Sequence, residues 1–217
     1  MTQDKSQLEG RKAVVLGANQ PAAAAVALAF AKAGADVAVT STSGDPEEAF
    51  ALRPLRRAIE AEGRQAIADI ADLSNGSSVQ IAVRQIAKQL GRIDIAVIAC
   101  GESLDKPTAR VSDAEWARAI AFNLGAYFYA CRALAREFDA NEPVEGVKGR
   151  IIALLSEPDA MNNAVFRAAR AGAHALFEAL ASEWRETGVR LTSISLSPET
   201  TAADAVDAAL QFASGQR

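Results

Sequence analysis

Residues 13 to 41, AVVLGANQPAAAAVALAFAKAGADVAVTS, confine this chain to a narrow set of folds. Ala13 to Leu16 is a short apolar run, the pattern of a parallel strand covered by helices on both faces. After a turn, Pro21 to Ala33 has the alanine-rich composition of a helix, and Gly34 stops it. Asp36 to Ser41 then reads as a second strand. Strand, turn, helix and strand in so short a stretch make a βαβ unit, whose crossover is right-handed in nearly all cases. Such a unit opens a doubly wound sheet that holds a dinucleotide at its first turn. That turn, however, is short of glycine here.

The alternation continues to the end of the chain. Helices are expected over Asp45 to Ala61, Ser77 to Leu90, Ser112 to Phe138, Asn163 to Thr187 and Ala202 to Ala213. Between them, Gln65 to Ile70, Ile93 to Ala99, Ile151 to Leu155 and Val189 to Ser195 read as strands. Asp45-Pro46 supplies an N-cap and first helical residue, and Ser112 with Glu115 three on forms a capping box. The expected fold is therefore α/β: a doubly wound, Rossmann-type parallel sheet with helices on both faces. No linker or repeat interrupts it, so residues 1–217 read as a single domain.

Composition excludes several classes. Half of the 217 residues are apolar, enough for one well-buried core. The net charge of −4, with no basic run, gives no footing to nucleic acid or to an anionic membrane surface. No stretch approaches a membrane span and the first residues lack an apolar leader, which points to the cytoplasm. Cys100 and Cys131, far apart in apolar surroundings, read as reduced, buried thiols, and no metal-ligating set is evident.

Gly17 follows the first strand and Asp72-Leu73 the third, while Gly91-Arg92-Ile93-Asp94 enters the fourth. Phe122-Asn123-Leu124 lies in the long helix, and Gly149-Arg150-Ile151 and Gly188-Val189-Arg190 open the fifth and sixth strands. In this order and spacing they resemble the short-chain dehydrogenase/reductase family over nearly the whole chain. The resemblance implies a nicotinamide cofactor, NADP(H) or NAD(H), with its contacts at Gly17, Asn19, Gln20, Ser41, Thr42, Asp72 and Gly101.

Several of the functional motifs depart from the family pattern. In the phosphate turn the second and third glycines have become Pro21 and Ala23. Proline removes an N–H that would meet the pyrophosphate, although it suits the first position of a helix with or without a ligand. The second strand ends in Thr40, Ser41, Thr42 and Ser43, with neither the acid that holds free ribose hydroxyls nor an arginine for a 2′-phosphate. Asp72 matches the family's adenine-contacting Asp and equally suits a capping role. The family's NNAG appears as Ile98-Ala99-Cys100-Gly101, keeping only the glycine.

The catalytic set implied by the resemblance is Asn, Ser, Tyr and Lys, and it falls on Asn123, Ser156, Phe166 and Arg170. Tyr would pass the proton, Lys lower its pKa and hold the ribose, Ser orient the substrate and Asn support a water relay. Phe166 has no proton to give, and Arg170 is no drop-in lysine. His174, four residues beyond Arg170, reads as a core or interface residue rather than a catalyst. Glu157 or Asp159 is expected to hold Arg170 or Arg167 in an ion pair. After the sixth strand, Leu196-Ser197-Pro198-Glu199 leads directly to the last helix, so the fold is expected to be C-terminally shortened, without the family's substrate lid and final strand.

These departures together favour a pseudoenzyme that does not run the Tyr/Lys-dependent redox reaction, with dinucleotide binding weakened or lost. Two alternatives stay open: a divergent NADP(H)-dependent reductase using Ser156 and Asn123, and a non-catalytic sensor of a small-molecule ligand or subunit of a larger complex. Self-association is expected as a homodimer through helices 112–138 and 163–187, or as a heteromer with an active relative.

Overall fold

The computed structural model describes residues 7–157 and 163–215. Six strands, β1 (Lys12–Leu16), β2 (Asp36–Thr40), β3 (Ala66–Asp69), β4 (Ile95–Ala99), β5 (Gly149–Ser156) and β6 (Val189–Leu196), form one sheet in the order β3-β2-β1-β4-β5-β6. All five pairings are parallel. The helices are α1 (Pro21–Lys32), α2 (Pro46–Ala51), α3 (Arg53–Ala61), α4 (Gly76–Leu90), α5 (Asp113–Ile120), α6 (Ala126–Phe138), α7 (Ala164–Glu183) and α8 (Ala202–Ser214). This is the doubly wound fold expected from the first βαβ unit.

Successive strand residues feed two separate cores, because side chains alternate between the faces of a sheet. Val14, Leu16, Ala38, Ala96 and Ile98 pack with residues of α4, α6 and α7. Ala13, Val15, Val37, Val39 and Val97 pack with α1, α3 and α8 on the other face. With both faces covered, β4 is apolar throughout and β1 is apolar after Lys12, as a parallel sheet requires.

Two expected helices prove to be broken. The segment from Asp45 to Ala61 divides at Leu52 into α2 and α3. Pro54 explains the break: it has no N–H to continue the first helix and settles instead into the first turn of the second. The segment from Ser112 to Phe138 keeps its capping box at Ser112 and Glu115 but passes through a π-helical turn at Ala121–Gly125. There Ala126 N–H bonds back to Ala121 O, and the Asn123 side chain donates to Ala119 O at 3.0 Å. A side chain that bonds the carbonyl four residues back competes with the helix ladder, which widens to take in the extra residue.

Candidate functional site

The strand order reverses between β1 and β4, and ligands enter open sheets of this kind over the carboxyl ends of the strands at such a point. From Leu16 the chain turns at once through Gly17, Ala18, Asn19 and Gln20 into α1. Gly17 has φ +84°, and a Cβ there would lie 1.9 Å from the Ala99 carbonyl oxygen of β4. Only glycine closes this turn. Ala18 N–H donates to Thr40 O at 2.8 Å, which ties it to the end of β2. Pro21 takes the first position of α1, and neither a side-chain cap nor an acid is present in that first turn. The N–H groups of Ala22 and Ala23 therefore meet no carbonyl within the helix.

A cavity of about 240 Å³ opens beside the turn, lined by Gln20, Pro21, Gly101, Ser156, Arg170 and Leu196 among others. Pockets that take a whole small-molecule ligand usually span roughly 300–1,000 Å³. This one suits a compact group or the end of a longer molecule. Ser156, the last residue of β5, is exposed at its edge.

Arg170 reaches the cavity from α7 and is 1 % exposed. Its Nη1 donates to the Tyr127 hydroxyl at 3.0 Å, while its Nε is buried without a hydrogen-bond partner. The guanidinium lies 5.4 Å from the Phe166 ring centre and 5.7 Å from that of Tyr127, within range of cation–π attraction. Gly101 leaves the room it needs, since a Cβ there would lie 2.0 Å from Nη2. The expected ion pair with Glu157 does not form: Glu157 is exposed just past β5, and among the described residues no carboxylate pairs with Arg170. Asp159 lies outside the described residues.

Ser156, Gly101 and Arg170 thus share one cavity, whereas the other members of the expected set stand behind it. Phe166 is 5 % exposed and packs against Arg170. Asn123 is fully buried in the π-turn; its Nδ2 donates to Glu102 O at 3.0 Å as well as to Ala119 O, and its Oδ1 accepts from Glu102 N–H at 3.2 Å. This amide holds the chain after β4 in place. His174 is half-buried on α7 and is not among the residues lining the cavity.

Tyr127, which the sequence reading overlooked, is the hub behind the cavity. Its hydroxyl lies 2.7 Å from Cys100 O and 2.9 Å from Leu154 O, and accepts from Cys100 N–H at 3.2 Å. It clamps the ends of β4 and β5 and shares the charge of Arg170. Burial, the largest influence, pushes its hydroxyl above the usual tyrosine range. The signal was its position four residues after Asn123, on the same helical face. Burial likewise pushes the Cys100 thiol up to about 12 and raises that of Cys131, and both thiols are free, as expected.

The end of β2 brings the main correction. Ser41 is buried and its hydroxyl donates to Ser43 O at 2.7 Å, while Thr42 is 8 % exposed. An acid does stand here, supplied by α2 rather than by the strand. The Glu48 carboxylate oxygen Oε2 accepts from Thr42 N–H (3.2 Å), Ser43 N–H (3.0 Å), the Thr42 hydroxyl (3.1 Å) and the Asn19 side-chain amide (3.2 Å). The spacing Asp45-x-x-Glu48 carried the signal, since a Glu at that place reaches back over the helix start. Asp72, for its part, accepts from Ser74 N–H at 3.0 Å and from the Ser74 hydroxyl at 2.6 Å within the loop, while Asn75 rather than Asp72 caps α4.

Residues 11–209 match the family model for short chain dehydrogenases. D-threitol dehydrogenase of Mycolicibacterium smegmatis is 30% identical over 192 residues, 87% of this chain and 70% of that protein. A 3-oxoacyl-(acyl-carrier-protein) reductase of Pseudomonas aeruginosa is 30% identical over 190 residues, 86% of this chain and 72% of that protein. Among solved structures, a metagenomic short-chain oxidoreductase in complex with NADP superposes with a TM-score of 0.83 at 29% identity, covering 96% of this chain and 93% of that one.

Proposed function

Since this chain belongs to the short-chain dehydrogenase family, we propose that it holds a nicotinamide dinucleotide at the Gly17 turn while lacking the proton donor of the family's carbonyl reduction. The residues at the turn fit such a ligand. Gly17 and Gly101 keep the backbone open, the first turn of α1 offers unpaired N–H groups, and the Asn19 Oδ1 is a buried acceptor without a partner. Arg170 adds a cation at the cavity wall, where it can face a ribose or an anionic group. A bound dinucleotide would supply a hydride.

What this chain lacks is the accompanying proton. Phe166 carries the reading: it stands where the resemblance places the proton donor, and its ring packs on Arg170. Tyr127 does not replace it, because its hydroxyl is enclosed at 0 % exposure and bonded to the two strand ends. Ser156 reaches the cavity, yet no side chain bonded to it there supplies a base among the described residues.

The test is a titration with NADH and NADPH, followed by nicotinamide fluorescence and thermal unfolding. Binding at 100 times the dissociation constant stabilises the fold by about 2.7 kcal/mol. Saturable binding with no turnover of a carbonyl panel is the expected result. Absence of binding at millimolar dinucleotide, or turnover at ordinary enzymatic rates, overturns the reading. The same proposal includes a homodimer through α5, α6 and α7, supported by the half-exposed Trp116 and Phe128 on the first two. A single-copy mass in sedimentation velocity would remove that part.

A further inference from the structure

The Glu48 carboxylate occupies a place that an outside anion would otherwise take. Two consecutive backbone N–H groups, a hydroxyl and a side-chain amide converge on one of its oxygens, all between 3.0 and 3.2 Å. Successive N–H groups that close on one point form an anion-binding concavity. Among the described residues no lysine or arginine takes part, so the charge of Glu48 is met there by dipoles. The cradle also adjoins the Gly17 turn. Asn19 Nδ2 bonds both Glu48 and the Thr42 hydroxyl, and a Cβ on Gly17 would meet Thr42 Cγ2 at 3.0 Å.

Asn19 supplies a second, independent sign of what this corner receives. Its Nδ2 must face Glu48 and Thr42, because the reverse orientation would set its oxygen against a carboxylate. That leaves Oδ1 as the buried atom without a partner. The corner therefore combines a carboxylate with a spare buried acceptor. A group that donates hydrogen bonds, such as a ribose hydroxyl, completes it. A phosphate, which at neutral pH mostly accepts, meets like charge.

We infer that Glu48 is the specificity-determining residue for the dinucleotide: its carboxylate fills an anion cradle, admits an adenosine ribose with free hydroxyls and bars a 2′-phosphate. The inference rests on the dinucleotide reading for its ligand, while the cradle itself is testable without one. It favours NAD(H) where the sequence left NAD(H) and NADP(H) both open, and it contrasts with the metagenomic neighbour that carries NADP.

Two measurements decide it. In the first, wild type and the Glu48→Ala variant are melted across a series of inorganic phosphate concentrations at constant ionic strength. The emptied cradle takes up phosphate, so the unfolding temperature of the variant rises saturably while that of wild type does not. Parallel behaviour of the two proteins would overturn the cradle, whether or not any dinucleotide binds. In the second, wild type binds NADH at least about tenfold more tightly than NADPH, since the 2′-phosphate is brought against the like charge of Glu48. Glu48→Ala and Glu48→Gln bring the ratio toward one. Equal or tighter binding of NADPH by wild type overturns the gating role. If neither dinucleotide binds, the proposed function fails together with the gating role, and the phosphate series still decides the cradle.

Discussion

Substituting alanine for Gly17 is expected to cost about 3 kcal/mol of folding stability, the sum of a left-handed conformation at roughly 1–2 kcal/mol and overpacking at roughly 1–3 kcal/mol. The backbone there has φ +84°, and the new Cβ would sit 1.9 Å from the Ala99 carbonyl oxygen. That oxygen belongs to a neighbouring strand whose own pairing holds it, so the turn rather than the strand must move. In a chain of 217 residues such a loss lowers the unfolding temperature by roughly 10 °C. Nicotinamide fluorescence should be lost with it, since the turn that would hold the ligand is displaced. Urea unfolding supplies the check. A change below about 0.5 kcal/mol, the scale of an ordinary surface substitution, would show that the turn is not held as described.

The second large effect is a gain. Phe166→Tyr combined with Arg170→Lys is expected to raise carbonyl reduction by about 10²–10⁴ over wild type, the usual contribution of a positioned acid–base group. The two changes are needed together. With arginine kept at 170, the guanidinium stays drawn to the Tyr127 hydroxyl and stacked on the ring at 166. A lysine is shorter and more compact, leaves that stack and frees space beside Gly101. Each single change should therefore give far less than the pair. The readout is kcat/KM over a pH series, in which the pair acquires a titrating limb that wild type lacks. A wild type already as active as the pair would refute the account of Phe166.

Much of the fold could be read from the chain because its cues are local. Gly34 and Gly91 end helices, Pro21 begins one, and Ser112 with Glu115 caps another. Each of these is a relation among residues within a turn of one another. Strand ends moved by a residue or two, as ends do: β3 is Ala66–Asp69 rather than Gln65 to Ile70. The site was harder to read because its decisive contacts join distant parts of the chain. Tyr127 meets Cys100 across 27 residues and Arg170 across 43. Nothing in the sequence around position 170 shows that its charge is met by a phenol rather than a carboxylate. Glu48 falls between these cases. Its capping spacing was visible, but the oxygen passes over the helix start to the amides of Thr42 and Ser43, and only the fold of the β2 end brings those amides together.

The π-turn at Ala121–Gly125 sets a limit on how this chain can change length. An α-helix advances about 100° per residue, and the wider turn holds one extra residue without that rotation, so removing one residue there restores a regular helix with α6 still in phase, whereas removing a second would swing everything after it by that angle. Asn123 bonds Glu102 from within the turn, while Tyr127, Cys131, Leu134 and Phe138 face the sheet from α6. Drawn into a regular helix at its full length, the stretch would turn α6 away from the sheet. The turn can therefore absorb the loss of one residue by closing into regular helix, at the expense of the Asn123 contacts alone. The spacing between Glu115 and Tyr127 can shorten by one residue and no more without turning α6 from its core.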